Sequence, residues 1–139
     1  MSPSSPSYQK EERRTHCVLY DLAWTTSRCT PVLIDDIAKE TSRLIREHCD
    51  TRGWTVHRLD VRPNYVHLLV QVWPSVSPAN VVRALRRATA GPLLRLFPSL
   101  RSLPSMWTYG YFAATQGSVT PEDITAFVLS QTPTPRRGD

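Results

Sequence analysis

At 139 residues, with 40% hydrophobic and 21% charged side chains, the chain has the size and make-up of one globular domain around a single core. No apolar run reaches the roughly 18 residues that span a bilayer, and the Ser/Pro-rich N-terminus carries no signal-peptide core. The expectation is a cytoplasmic protein with no membrane partner. Three cysteines (Cys17, Cys29, Cys49), odd in number and without CxxC spacing, exclude a disulfide framework and a cysteine zinc site. The net charge is +5, and of 17 basic residues only Lys10 and Lys39 are lysines. Arginine pairs bidentately with phosphate and stacks on bases, so this balance points to nucleic acid, with GC-rich coding as the equal alternative.

Residues 1–14 read as a flexible leader ahead of a domain over 15–131, and 132–139 as a proline- and arginine-rich flexible tail. Residues 15–25, β-branched, aromatic and apolar, form a first strand. Apolar residues at helical spacing (Ile34, Ile37, Ala38, Leu44, Ile45, Cys49) predict a helix over 33–51. Asp35 and Asp36 at its start and Arg46 and His48 near its end suit the macrodipole, and Gly53 stops it. Strands follow over 54–61 and, after a Pro63-Asn64 turn, 65–73. Ser77-Pro78 starts a helix over about 78–97, interrupted or re-started at Gly91-Pro92. A fourth strand over 109–115 ends at Gly117, and Thr120-Pro121-Glu122-Asp123 caps a last helix to about Gln131. The order β-α-β-β-α-β with a closing helix is the ferredoxin-like split βαβ arrangement of the α+β class. It places two helices on one sheet face and leaves the other open as a platform.

The most informative segment is the third strand. Tyr65 and His67 share one face and Val66 takes the other. Two polar rings there suit a metal or phosphate site, although His-x-His would be the strong two-ligand signal and Tyr-x-His is a near miss. On the central helix Arg83, Arg86 and Arg87 stand at i, i+3 and i+4, a basic stripe extended by Arg95, with Val81, Val82, Leu85 and Ala88 opposite. Arg58 and Arg62 flank the platform strand and add to a phosphate-binding surface, against the alternative of a solvated charged face. Trp73 and Trp107 are candidates for base stacking, with core or dimer packing the commoner use of an indole. His16, His48 and His57 have no telling spacing.

Several segments together resemble one family. Pro63-Asn64-Tyr65-Val66-His67-Leu68-Leu69-Val70 resembles the Pro-Asp/Asn-His-Val-His-Leu-Leu-Val strand of the TnpA transposases, the single-tyrosine members of the HUH superfamily. Residues 24–26 and 31–33 are similar to that family's first strand and turn, 81–86 to its central helix, and 107–119 to its fourth strand. Residues 124–131 resemble its closing Ile-x-x-Tyr-Ile-x-x-Gln helix. The resemblance implies a small, often dimeric enzyme that cuts and rejoins single-stranded DNA beside imperfect hairpins. In it a helix tyrosine attacks the phosphodiester and a divalent metal (Mg or Mn), held by two strand histidines and a polar helix residue, polarises the phosphate.

Carried over by position, the first histidine is Tyr65, the second His67, the nucleophile Phe127 and the helix amide Gln131. Phe127 and Gln131, four apart, share a helix face. Phenylalanine has no oxygen with which to attack phosphorus, and a neutral phenol is a poor ligand for Mg²⁺ or Mn²⁺. His67 and Gln131 are left as an incomplete metal pair. The expectation is therefore a TnpA-like protein that binds single-stranded or hairpin DNA, as a homodimer, without cutting it, acting as a regulator or domesticated remnant. The alternatives are an active transposase, in which another tyrosine (Tyr65, Tyr109 or Tyr111) serves or Phe127 replaces a native tyrosine, and a protein-interaction module that no longer binds nucleic acid.

Overall fold

The computed structural model describes residues 17–115 and 121–133. Its elements are β1 (Val18–Thr25), α1 (Asp35–Arg52), β2 (Thr55–Arg62), β3 (Tyr65–Val72), α2 (Pro78–Leu96), β4 (Phe112–Thr115) and α3 (Pro121–Gln131), with short 3₁₀ turns at Ser27–Cys29 and Pro98–Ser102. The sheet order is β2-β3-β1-β4 and every neighbouring pair is antiparallel. This is the α+β arrangement expected from the element order. The leader, the Gly117 break, the Thr120 cap and the end of the tail lie outside the described residues.

Alternation along β3 divides the sheet into two faces. Val66, Leu68, Val70 and Val72 are buried and the residues between them only half so. The buried set packs with Leu22 and Trp24 of β1, Leu44, Ile45 and Cys49 of α1, and Val81, Val82, Leu85 and Leu93 of α2. The other face carries a smaller cluster, in which Ala23 of β1 meets Ile124 and Val128 of α3, joined by Tyr65, Phe112 and Phe127. The platform face is thus not left open, because α3 lies across part of it. The apolar pair Ile124 and Val128, one helical turn apart, explains why.

Local signals account for most boundaries. Gly53 adopts φ 76° and its N–H bonds the carbonyls of Asp50 and Cys49, which closes α1. Ser77 Oγ accepts from the Asn80 N–H with Pro78 next in line, which opens α2. Two expectations differ. α2 is continuous through Gly91-Pro92, since the core stripe of Leu85, Thr89 and Leu93 spans the proline and holds both halves in one line. Gly91 also lacks the Cβ that clashes with a following proline ring in helical geometry. β4 begins at Phe112 rather than 109, because the Tyr109 and Gly110 carbonyls bond a side chain of α2 instead of a strand. β2 carries a bulge between Val56 and Arg58. The extra residue, His57, shifts the alternation so that Val56, Leu59 and Val61 all reach the core.

Candidate functional site

On the α3 face, β3 presents Tyr65 and His67 beside β1. His67 lies directly across from Ala23 on one side and Asp60 on the other. Its Nε2 stands 2.9 Å from Asp21 Oδ1, both side chains being mostly buried, 15% and 11% exposed. An imidazole packed beside a carboxylate in this way is held in one orientation. Asp21 was not among the residues singled out in the sequence. The available signal was a lone carboxylate in the middle of an otherwise apolar strand, on the parity of Ala23 and hence of His67.

Tyr65 and Phe127 belong to the apolar cluster under α3. The Phe127 ring packs on Phe112 with centroids 5.8 Å apart and planes tilted by 53°, an ordinary aromatic contact between strand and helix. Gln131 Oε1 lies 3.3 Å from where a Cβ on Gly110 would stand, and its Nε2 is 3.3 Å from Ser130 Oγ. The residues at the positions expected to share a divalent ion do not fit one. Tyr65 offers a phenol packed among apolar side chains, and His67 Nε2 is engaged by Asp21. Among the described residues no three His, Cys, Asp or Glu side chains are grouped to hold an ion.

A turn at the end of β1 seats α3. Arg28 and Cys29 both take left-handed backbone angles, φ 57° and 55°, at a cost of about 1 kcal/mol or more each for non-glycine residues. Thr26 Oγ1 donates to the Thr30 carbonyl at 2.7 Å and Cys29 Sγ reaches the Val128 carbonyl at 3.8 Å. The strained turn therefore abuts the helix that carries Phe127 and Gln131.

The arginines fall on two opposite surfaces. Arg58 and Arg62 share the α3 face with Tyr65 and His67, and Arg58 Nε pairs with Asp60 Oδ2 at 3.1 Å. Arg83, Arg86 and Arg87 are on α2, on the other side of the sheet, so the five do not form one surface. Arg86 is not a solvated member of a stripe. Its guanidinium donates to the Tyr109 carbonyl at 2.6 Å and to the Gly110 carbonyl, bracing the loop before β4. Burial pushes its pKa below the ordinary guanidinium value, with the Tyr111 and Tyr109 phenols acting in the opposite direction. Arg83 and Arg87 are exposed, and Asn80 Oδ1 accepts from Arg83 Nη1 at 2.6 Å. Trp107 is a core residue, donating from Nε1 to Thr89 Oγ1 at 3.0 Å and meeting Trp24 edge-on.

Between α2 and the braced loop runs a groove of about 920 Å³. Arg83, Arg86 and Arg87 line one wall and Tyr109, Gly110 and Tyr111 the other. Tyr109 is 94% exposed, which is costly for an aromatic ring with nothing to cover it. Guanidinium groups facing projecting phenols match a phosphate backbone with unstacked bases. The sequence offers Tyr109 and Tyr111 as strand residues; their place in a groove facing α2 depends on the Arg86 clamp, which joins residues far apart in the chain.

The sequence profile of the IS200-like transposase family matches residues 14–131. The chain is 26% identical over 115 residues to the ISDra2 transposase TnpA of Deinococcus radiodurans, covering 81% of this chain and 82% of that one. A crystal structure of a Deinococcus radiodurans R1 protein assigned as a transposase superposes with a TM-score of 0.78 at 27% identity, over 85% of this chain and 93% of the other. The fold is also shared, at a TM-score of 0.54 and 11% identity, with a REP-associated tyrosine transposase bound to a REP hairpin, over 80% of this chain and 62% of that one.

Proposed function

Taking as its premise that this chain belongs to the IS200-like transposase family, we propose that it binds single-stranded or hairpin DNA without cutting it. It would act as a regulator or a domesticated remnant of a transposase. The observation that carries this reading is the packing of Phe127. At the position of the family's nucleophile stands a ring without oxygen, set against Phe112 in an apolar cluster. Phosphoryl transfer to protein needs a nucleophilic atom aimed at phosphorus, and positioning alone cannot replace it. The partner histidine position holds Tyr65, and His67 is occupied with Asp21, so both departures fall on the chemistry while the scaffold is kept.

Support for retained DNA binding comes from the groove along α2. Exposed Arg83 and Arg87 supply charge for phosphates, and Tyr109 and Tyr111 supply planes for bases. The hairpin seen on the REP-associated relative is a DNA partner of the kind this groove suits. A homodimer, the expectation drawn from the family, belongs to the same proposal, and light scattering on the purified chain tests it.

The reading is tested by incubating the protein with a labelled single-stranded oligonucleotide and Mn²⁺, then separating the products under denaturing and native conditions. The expected result is a salt-sensitive native complex with the strand intact and no label on the denatured protein. A covalent protein–DNA product would falsify the inactive reading, and no binding at low ionic strength would overturn the DNA-binding one.

A further inference from the structure

The loop that walls the α2 groove is pinned around both of its tyrosines. Arg86 donates to the Tyr109 carbonyl at 2.6 Å and to the Gly110 carbonyl, so one planar fork holds both peptide units between the phenols. Just upstream, the Thr108 N–H donates to the Thr25 carbonyl at 3.0 Å and Thr108 Oγ1 to the Thr26 carbonyl at 2.8 Å. These bonds tie the loop to the end of β1. Behind it, Gln131 Oε1 lies 3.3 Å from where a Cβ on Gly110 would stand. A backbone held this way sets the spacing of the rings it carries, and a preset spacing lowers the ordering cost of binding.

Tyr109 and Tyr111 both line this tyrosine-walled groove and both are exposed, by 94% and 39%. Two residues apart, they stand at most about 7 Å from each other along the chain. Successive bases of a stacked strand are roughly 3.4 Å apart. Two bases that each lie on their own phenol have a ring between them, which doubles that interval to about 7 Å. The loop can just supply it. A paired stem cannot, because its base faces are closed by their neighbours. On the facing wall Arg83 and Arg87 are both exposed and one helical turn apart, a rise of about 6 Å. Arg83 gives Nη1 to Asn80 Oδ1 at 2.6 Å, and a guanidinium has further N–H donors for a second partner. Charges and rings thus repeat across the groove at nearly one interval.

We infer that the groove takes two consecutive unpaired nucleotides in preference to a paired stem. One base lies against each of Tyr109 and Tyr111, and the two phosphates lie on Arg83 and Arg87. This occupancy rests on the DNA-binding reading above and narrows it to the unpaired part of a strand, such as a hairpin's loop or its single-stranded flank. Stacking on a phenol accepts any base, so the groove selects for an unstacked strand and not for a base sequence.

The test is displacement of a labelled oligothymidylate from the full chain by unlabelled competitors. These are 5′-phosphorylated thymidylates of one, two and three nucleotides, a blunt duplex, and the same duplex with a two-nucleotide overhang. The dinucleotide is expected to compete about tenfold better than the mononucleotide, and the trinucleotide to gain no more than about twofold beyond it. The overhang should outcompete the blunt duplex. Tyr109→Ala should abolish the dinucleotide's advantage and Tyr109→Phe, which keeps the plane, should retain it; circular dichroism checks that both fold. With the labelled strand bound, any of four results overturns the dinucleotide site alone: one and two nucleotides competing equally, a third adding as much as the second, the blunt duplex matching the overhang, or Tyr109→Ala keeping the advantage. A labelled strand that does not bind at low ionic strength overturns the DNA-binding reading and this site with it.

Discussion

Arg86 shows how little a residue's charge says about its task. It sits at the right helical spacing to extend a basic stripe, yet its guanidinium is spent on the carbonyls of Tyr109 and Gly110. Replacing it by glutamine removes both bonds and leaves the carbonyls of a tight loop unpaired, so Arg86→Gln is expected to lower stability by about 2–3 kcal/mol. A urea melt measures this, and an unchanged midpoint refutes the bracing role. His48 gives a pH dependence of definite sign. Burial, reinforced by the nearby Arg52 charge, lowers its pKa from the ordinary imidazole value. The folded state therefore disfavours the proton that the unfolded chain accepts. The stability contributed by neutral His48 is complete above about pH 6.5 and declines as pH falls below it. His48→Gln should flatten the fall in thermal midpoint between neutral and mildly acidic buffer. A slope identical to that of the unaltered protein would count against this assignment.

At the scale of elements, α2 passes through a proline without breaking, at the cost of the hydrogen bond that the Ala88 carbonyl loses. Pro92→Ala restores a donor there and is expected to raise stability by about 1–2 kcal/mol, after allowing for the extra freedom of the unfolded chain. Thermal melting checks it; a lower midpoint would mean that the ring's packing outweighs the bond. The strands and helices were legible because their periodicities are strong: β3 alternates cleanly and α2 opens on Ser77-Pro78. The start of β4 was not, since a strand boundary set by a guanidinium 23 or 24 residues away leaves no local trace. The bulge at His57 likewise hides behind plausible alternation. Within the candidate site, Tyr65, His67 and Phe127 could be named from spacing and resemblance. Asp21 could not, because its partnership with His67 exists only through the register of β1 against β3.

For the molecule as a whole, the sheet has two differently built sides. One carries Tyr65, His67 and Asp21 under α3, and the other turns outward through α2 with Arg83 and Arg87 along the tyrosine-walled groove. The two sides meet at the loop before β4, where Gln131 of α3 lies against Gly110 in the wall of the α2 groove. The pairing of β1 has a further consequence, for synthesis. Val18 waits for Val72 and Thr25 for Tyr65, whereas β2 and β3 meet across a two-residue turn. A nascent polypeptide therefore holds this largely apolar ribbon without a mate until the hairpin behind it has left the ribosome. That interval favours capture by chaperones or by other emerging chains.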